Sequence, residues 1–256
     1  MLSKAKIKWI NSLTLKKNRD EESVFVAEGV KLVSELLVSF PPLFLAYTDE
    51  NLLPIRQRRN SIEKVLVSES ELLKISTQKS PQGIVAVFPK PKYEVNYEQI
   101  KNSLTIALDE IQDPGNLGTI IRLADWFGIK DVFCSTNTAD IYGSKAVQAT
   151  MGAVSRMRVH YVELSDFLQK TMSTPIYGTF MIGDNIYDEE LTSNGIIVMG
   201  NEGKGISKEI VPFISKKLYI PSFPSHEQTS ESLNVSAAMA ITVSEFRRRS
   251  LPLQSR

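Results

Sequence analysis

The segment DPGNLGTIIRLADWF, which begins at Asp113, sets Asn116 between Gly115 and Gly118 and puts Arg122 about one helical turn beyond. An amide offers a donor and an acceptor without charge, which suits Asn116 to orienting a hydroxyl or a neighbouring side chain. A guanidinium offers a planar fork for a phosphate, or for an oxygen that is gaining negative charge. Two further clusters carry groups of the same kind. IIVMGNEGKGIS places Glu202 among Gly200, Gly203 and Gly205, and LYIPSFPSHEQTSESLNVSAAMAI brings Ser232, Leu233 and Asn234 to a helix start. Neither glycine run has the spacing of a dinucleotide turn, G-x-G-x-x-G, or of a phosphate loop, G-x-x-x-x-G-K-[ST].

Taken singly, each cluster also has a plain structural explanation. Gly200 to Gly205 reads equally as a flexible turn carrying a solvated Glu202. Arg122 reads as a surface arginine. Ser232 and Asn234 are residue types that commonly cap helices. What sets the three apart is position. Each follows the C-terminal end of an apolar strand-like run, at 104–108, 195–199 and 217–220, where ligands bind in open α/β sheets.

The elements that must position them alternate along the whole chain. Of 256 residues, 42% are apolar and 23% charged, an ordinary globular composition with net charge +1. Global charge does not point to nucleic acid, so any such binding needs a local patch. Residues 1–90 read as a lysine-rich helix at 4–15, strands at 24–27, 43–47, 64–67 and 84–88, and helices at 29–38, 52–59 and after Ser68. PKPKYEVNYEQIKNS marks a boundary, so 91–103 is the expected linker. The second half reads as strands at 104–108, 132–135, 175–181, 195–199 and 217–220. Its helices are expected at 117–127, 144–151, 208–213 and 234–249. Alternation of this kind predicts an α/β fold.

Other signals exclude more than they propose. The single cysteine, Cys134, follows Val132 and Phe133 in a strand-like run and reads as a small core residue, so neither a disulfide framework nor a cysteine-rich zinc site is expected. His226 and Glu227 are too few to hold a metal, and none is expected. No apolar run has the length of a signal peptide or a membrane span, which points to the cytoplasm. Asn234-Val235-Ser236 matches a glycosylation acceptor by chance.

Together the three clusters resemble the motifs of the SpoU (TrmH-like) class of S-adenosylmethionine-dependent RNA 2′-O-ribose methyltransferases. The first is similar to N-x-G-x-x-x-R, met by Asn116, Gly118 and Arg122. The second is similar to V-M-G-x-E-G-x-G, met by Val198, Met199, Gly200, Glu202, Gly203 and Gly205. The third is similar to I-P followed by S-L-N-V-S, met by Ile220, Pro221 and the run Ser232 to Ser236. One departure is SFPSHEQTSE, which is longer than the corresponding loop of relatives and lacks its glycine.

The resemblance implies a C-terminal trefoil-knotted methyltransferase domain at 104–247, a smaller N-terminal α/β domain at 1–90 that binds the RNA substrate, and a tail at 248–256. It implies S-adenosylmethionine as cofactor, held by Met199, Gly200, Gly203, Ile220 and Leu233. It implies catalysis by Asn116, Arg122, Glu202, Ser232 and Asn234. The chemistry of a guanidinium favours Arg122 as the group that anchors phosphate and steadies the developing alkoxide, rather than the general base that some accounts of the family make it, with Glu202, Asn234 and Ser232 orienting Asn116 and Arg122. An arginine, whose ordinary pKa lies above ~12, is a poor general base. The implied partners are RNA, ribosomal before transfer RNA, and a second copy of the chain, each active site being completed by the partner's arginine. A non-catalytic RNA-binding protein of the same fold remains the alternative.

Overall fold

A computed structural model describes residues 1–53, 62–224 and 230–250. The expected helix at 52–59 lies mostly outside the described residues, as do His226 and Glu227. The chain divides into two compact units, one comprising 1–92 with 140–156, the other 93–139 with 157–256.

The first unit carries helices α1 (Lys4–Ser12), α2 (Lys16–Glu22), α3 (Val30–Ser39) and α4 (Glu69–Leu73) around strands β1 (Val24–Glu28), β2 (Phe44–Tyr47), β3 (Glu63–Leu66) and β4 (Ile84–Pro89). The strands form a sheet in the order β1-β4-β2-β3, with β4 antiparallel to both β1 and β2. Ser68 and Glu71 close a capping box at the start of α4. Ile10, Leu13, Phe44, Leu72, Val85 and Val87 share one core.

A segment from the middle of the sequence completes this unit. Residues 140–156 carry α7 (Ser144–Ala149) and bring Tyr142 against Phe25, ring centroids 5.1 Å apart. Asp140 pairs with the buried Arg19 at 2.6 Å. Gly152 has φ +95, in the left-handed region, and a Cβ there would stand 2.7 Å from Cβ of Glu35. Only glycine meets both demands.

In the second unit, α5 (Tyr97–Lys101) occupies part of the expected linker. It is followed by β5 (Leu104–Leu108), α6 (Pro114–Trp126), β6 (Asp131–Ser135), β7 (Arg158–Val162), α8 (Leu164–Lys170), β8 (Ile176–Asn185), β9 (Gly195–Met199), β10 (Lys216–Tyr219) and α9 (Val235–Ser250). The six strands are parallel in the order β10-β8-β9-β5-β6-β7. β5, β6 and β9 are buried at every residue, as expected of strands covered on both faces. Cys134 lies in this core, where burial pushes its thiol pKa up.

Several expectations need correction. The sequence pattern does not predict β7 or α8. The helix expected at 208–213 is only a 3-10 turn, Val211–Phe213, containing Pro212, which has no N–H to continue a helix. The strand expected at 175–181 runs on to Asn185, with a register break. Lys217 pairs with Gly178 but Leu218 pairs with Asp184, so residues 179–183 leave the ladder.

Candidate active site

The order of the sheet reverses between β5 and β9. From β5 the chain steps outward through β6 and β7, then returns to place β8, β9 and β10 on the other side. Ligands in open α/β sheets bind at such a switch point, beyond the carboxyl ends of the strands. Leu108 and Met199 are in register at the ends of β5 and β9, so the loops that follow start side by side.

Hydrogen bonds join these two loops. Asp109 N–H donates to Met199 O at 2.9 Å, Ser207 N–H donates to Asp109 Oδ2 at 2.7 Å, and Asn201 Nδ2 donates to Glu110 O at 2.8 Å. The loop after β9 also closes on itself. Asn201 and Gly205 exchange backbone hydrogen bonds at 3.0 and 2.9 Å, while Asn201 Oδ1 accepts from Gly203 N at 2.9 Å and Lys204 N at 3.0 Å. Gly200 is required by this closure. A Cβ there would lie 2.3 Å from Gly205 C and Ile206 N.

Asn116 sits in the first turn of α6, where Asp113 Oδ1 caps its N–H at 2.7 Å. Its Nδ2 donates to Glu202 Oε1 at 3.0 Å, and its Oδ1 accepts from Asn234 Nδ2 at 3.0 Å. Asn234 Oδ1 in turn accepts from Ser236 N at 2.9 Å, so Asn234 caps α9. Ser236 Oγ donates to Asn116 O at 3.3 Å. Helices α6 and α9 pack on one another, which holds the two asparagines together.

Thus Asn116, Glu202 and Asn234 are brought into one chain of hydrogen bonds. Ser232 is exposed and makes no hydrogen bond among the described residues; Ser236 stands in the network where Ser232 was expected. Arg122 is exposed on α6, likewise without a hydrogen bond or ion pair among the described residues. Met199 is buried at the end of β9. Gly200 and Ile220 are half-buried, and Leu233 is 50% exposed just before α9. The N–H of Gly203 is already bonded to Asn201. Beside β10, the out-of-ladder stretch leaves Met181 and Ile182 exposed, while Thr179 Oγ1 donates to Val198 O at 3.3 Å.

Two contributors escaped the sequence reading. Ser236 lies inside the third motif, and its position two residues past the helix cap, facing that cap, is the signal that marks it. Asn201 carried a usable signal, since an asparagine opening an N-x-G turn commonly bonds the backbone two and three residues on.

The strongly shifted carboxyls serve packing outside these loops. Burial alone would raise Asp131, but hydrogen bonds from Arg158, at 2.7 and 2.6 Å, and from His160 hold it down at about 2. Arg248 and Arg249 hold the buried Glu245 at about 2 in the same way.

Residues 103–244 match the SpoU rRNA Methylase family. The chain belongs to this family. Residues 4–86 match a domain described as MRM3-like substrate binding. The 23S rRNA (guanosine(2553)-2′-O)-methyltransferase RlmP of Bacillus subtilis is 31% identical over 248 residues, spanning 94% of this chain and 96% of its own. A protein of Porphyromonas gingivalis placed in the TrmH family of RNA methyltransferases superposes with a TM-score of 0.86 at 39% identity, covering 97% of this chain and 99% of its own. The AdoMet-bound rRNA methyltransferase of Sinorhizobium meliloti superposes with a TM-score of 0.85 at 28% identity, covering 98% and 97%.

Proposed function

We propose that this chain transfers the methyl group of S-adenosylmethionine to a ribose 2′-hydroxyl of 23S ribosomal RNA, as a homodimer in the cytoplasm. The observation that carries the reading is the Glu202–Asn116–Asn234 chain, which gathers one polar residue from each of three loops beyond the carboxyl ends of β9, β5 and β10. Membership of the family and likeness to the Bacillus enzyme along nearly the whole chain support the ribosomal substrate. Likeness to the AdoMet-bound Sinorhizobium enzyme supports the cofactor.

The residues at the ends of β8, β9 and β10 suit that cofactor. Ile220, Leu233, Met181 and Ile182 offer apolar surface for an adenine ring and a methionyl chain, and Met199, Gly200 and the carbonyl of Gly203 offer backbone groups beside it. Bound there, the cofactor supplies an electrophilic methyl on a sulfonium. The protein's own part is positioning, which can supply ~7–11 kcal/mol of a barrier. Glu202 and Asn234 fix the amide of Asn116, and Asn116 orients the acceptor. Arg122 binds an RNA phosphate and steadies negative charge on the attacking oxygen. Its exposure, without a hydrogen bond or ion pair among the described residues, fits a group that serves the active site of a second copy. The trefoil knot belongs to the same proposal: after β10 the chain returns to the start of α6, where Asn234 meets Asn116.

Incubation of purified protein with labelled S-adenosylmethionine and an unmodified 23S rRNA transcript tests the reading, together with 2′-O-methyl mapping of cellular RNA with and without the gene. One ribosomal site should disappear with the gene. Loss of a transfer RNA methyl would move the substrate, and RNA binding without any transfer would leave a non-catalytic binder.

A further inference from the structure

The first unit contains a cleft of about 550 Å³ that the reaction described above does not use. One wall comes from the N-terminal stretch, with Glu28, Thr77 and Gln78. The other comes from α7, with Ser144, Lys145 and Gln148. Ala27 and Val147 give it an apolar floor. The N-terminal wall lies within the match to a substrate-binding domain, and α7 lies within the match to the methylase family.

The cleft is pre-formed on one side. Glu28 is buried, and its carboxylate accepts from Thr77 N at 3.0 Å, from Thr77 Oγ1 at 2.7 Å and from Ser76 Oγ. Ser76 Oγ also accepts from Gln78 N at 3.0 Å. The turn that carries Gln78 is therefore tied to the sheet, and the charge of Glu28 is met by the protein itself. Lys145 and Gln148 are exposed and make no hydrogen bond or ion pair among the described residues.

We infer that this cleft holds one unstacked nucleotide of the RNA substrate, an inference that rests on the function proposed above. Sequence-specific RNA recognition works on splayed-out bases, read by stacking and by hydrogen bonds to their edges. An apolar floor receives the face of a base. The amides of Gln78 and Gln148 offer donors and acceptors to its edge, and Lys145 meets a flanking phosphate. Pockets of about 300–1,000 Å³ take ligands of small-molecule size, so the volume fits one nucleotide and excludes a duplex. The cleft thus selects which RNA is presented, while the three loops perform the transfer.

The test uses the full chain with a labelled, unmodified 23S rRNA transcript, measured by filter binding across a salt series and by methyl transfer. Gln148→Ala and Lys145→Glu should each weaken RNA binding about five- to a hundredfold. Lys145→Gln should reduce the salt slope by about one. KM for RNA should rise while kcat and S-adenosylmethionine affinity, read by calorimetry, stay unchanged, which also shows that the variants fold. Lys170→Gln, an exposed lysine on α8, should leave binding as it was. Wild-type RNA affinity in both Gln148→Ala and Lys145→Glu overturns the inference and leaves the methyltransferase reading standing; a cleft that receives a protein would give that result. Weakened binding in these variants, with no methyl transfer by the wild type, supports the cleft and removes the enzyme reading. A wild type that binds no RNA removes both.

Discussion

The amide of Asn116 has only one workable orientation. Glu202 is a carboxylate that can only accept, so Nδ2 of Asn116 must face it, and Oδ1 is left to accept from Asn234. Asn234 is oriented in turn by the N–H of Ser236. Direction therefore runs from a helix cap to a carboxylate, and the asparagine between them cannot flip without losing both bonds. Glu202→Gln weakens that hold, because a bond to a charged acceptor is stronger than one to an amide by about 1 kcal/mol. Steady-state kinetics on RNA should show kcat falling about tenfold with cofactor affinity retained; an unchanged kcat would mean that Glu202 is only a loop tie. Arg122 stands outside this chain of bonds. Arg122→Ala should lower kcat by about 10²–10³, the size of effect seen when a group that stabilises developing charge is removed. Arg122→Lys should recover little, because a point charge does not reproduce a fork. Calorimetric titration with S-adenosylmethionine should find both variants close to wild type, and a large loss of affinity would reassign Arg122 to the cofactor. At this scale the sequence exposed Asn116, Glu202 and Asn234 through residue type and spacing. It could not separate Ser232 from Ser236, because the choice depends on which hydroxyl the first turn of α9 aims at Asn116.

Gly200 shows how an element dictates a residue for a reason that spacing does not reveal. Its place in a motif suggests room for a ligand, yet the nearest atoms to an added Cβ belong to Gly205 and Ile206, the returning arm of the same loop. Gly200→Ala should therefore open the loop and destabilise the protein by about 1–3 kcal/mol, as overpacking does. Urea denaturation without cofactor is the decisive measurement, since a purely ligand-related glycine would leave the apo protein's midpoint unmoved. The pair β6 and β7 depends on Asp131, whose carboxyl is held at about 2, below its ordinary 3.8, against the cost of burial. A depressed carboxylate adds stability above its unfolded pKa and loses it as pH falls through the folded one. That contribution, ~2 kcal/mol, should be complete above pH ~4 and gone below pH ~2. Asp131→Asn should lower stability at neutral pH and flatten the acid limb of the unfolding curve. An acid limb identical to wild type would place the titration elsewhere. The α/β alternation was legible because apolar strands such as LTIAL and GIIVM stand between turn residues. β7 was not, since RVHYV mixes charged and apolar side chains at an edge, and its Arg158 and His160 are accommodated by pairing with Asp131 across the ladder, with His160 also stacked on Phe133.

At the scale of the molecule, sequence order misleads about where one unit ends. The stretch 140–156 sits between strands of the second unit in the chain, yet packs with the first through Arg19–Asp140 and Phe25–Tyr142. Long-range pairings of this kind leave no local pattern to read. A truncation at residue 90 would strip these partners away, so the role of the first unit is better probed by substitution than by deletion.

Assembly is the remaining question at that scale, and the surface of α6 bears on it. Trp126, one turn beyond Arg122, is 84% exposed, a rare condition for so large an aromatic side chain. On α9, Met239, Thr242 and Phe246 are buried within their own chain, leaving Ala237 and Ser244 exposed and Ile241 half-buried. A two-fold dimer that covers the outer face of α6 would bury Trp126 and carry Arg122 to the partner's loops. Light scattering should find a dimer at micromolar concentration, and Trp126→Glu should shift it to monomer with loss of activity. Complementation gives the sharper answer. Arg122→Ala and Asn234→Ala are each expected to be inactive alone. Co-expressed, they form mixed dimers in which the intact arginine of one chain meets the intact asparagine of the other at one of the two sites. Random pairing makes half of all dimers mixed, so activity should return to about a quarter of wild type if sites are shared across a two-fold interface. Sites built within single chains would return none, because no chain in the mixture holds both residues.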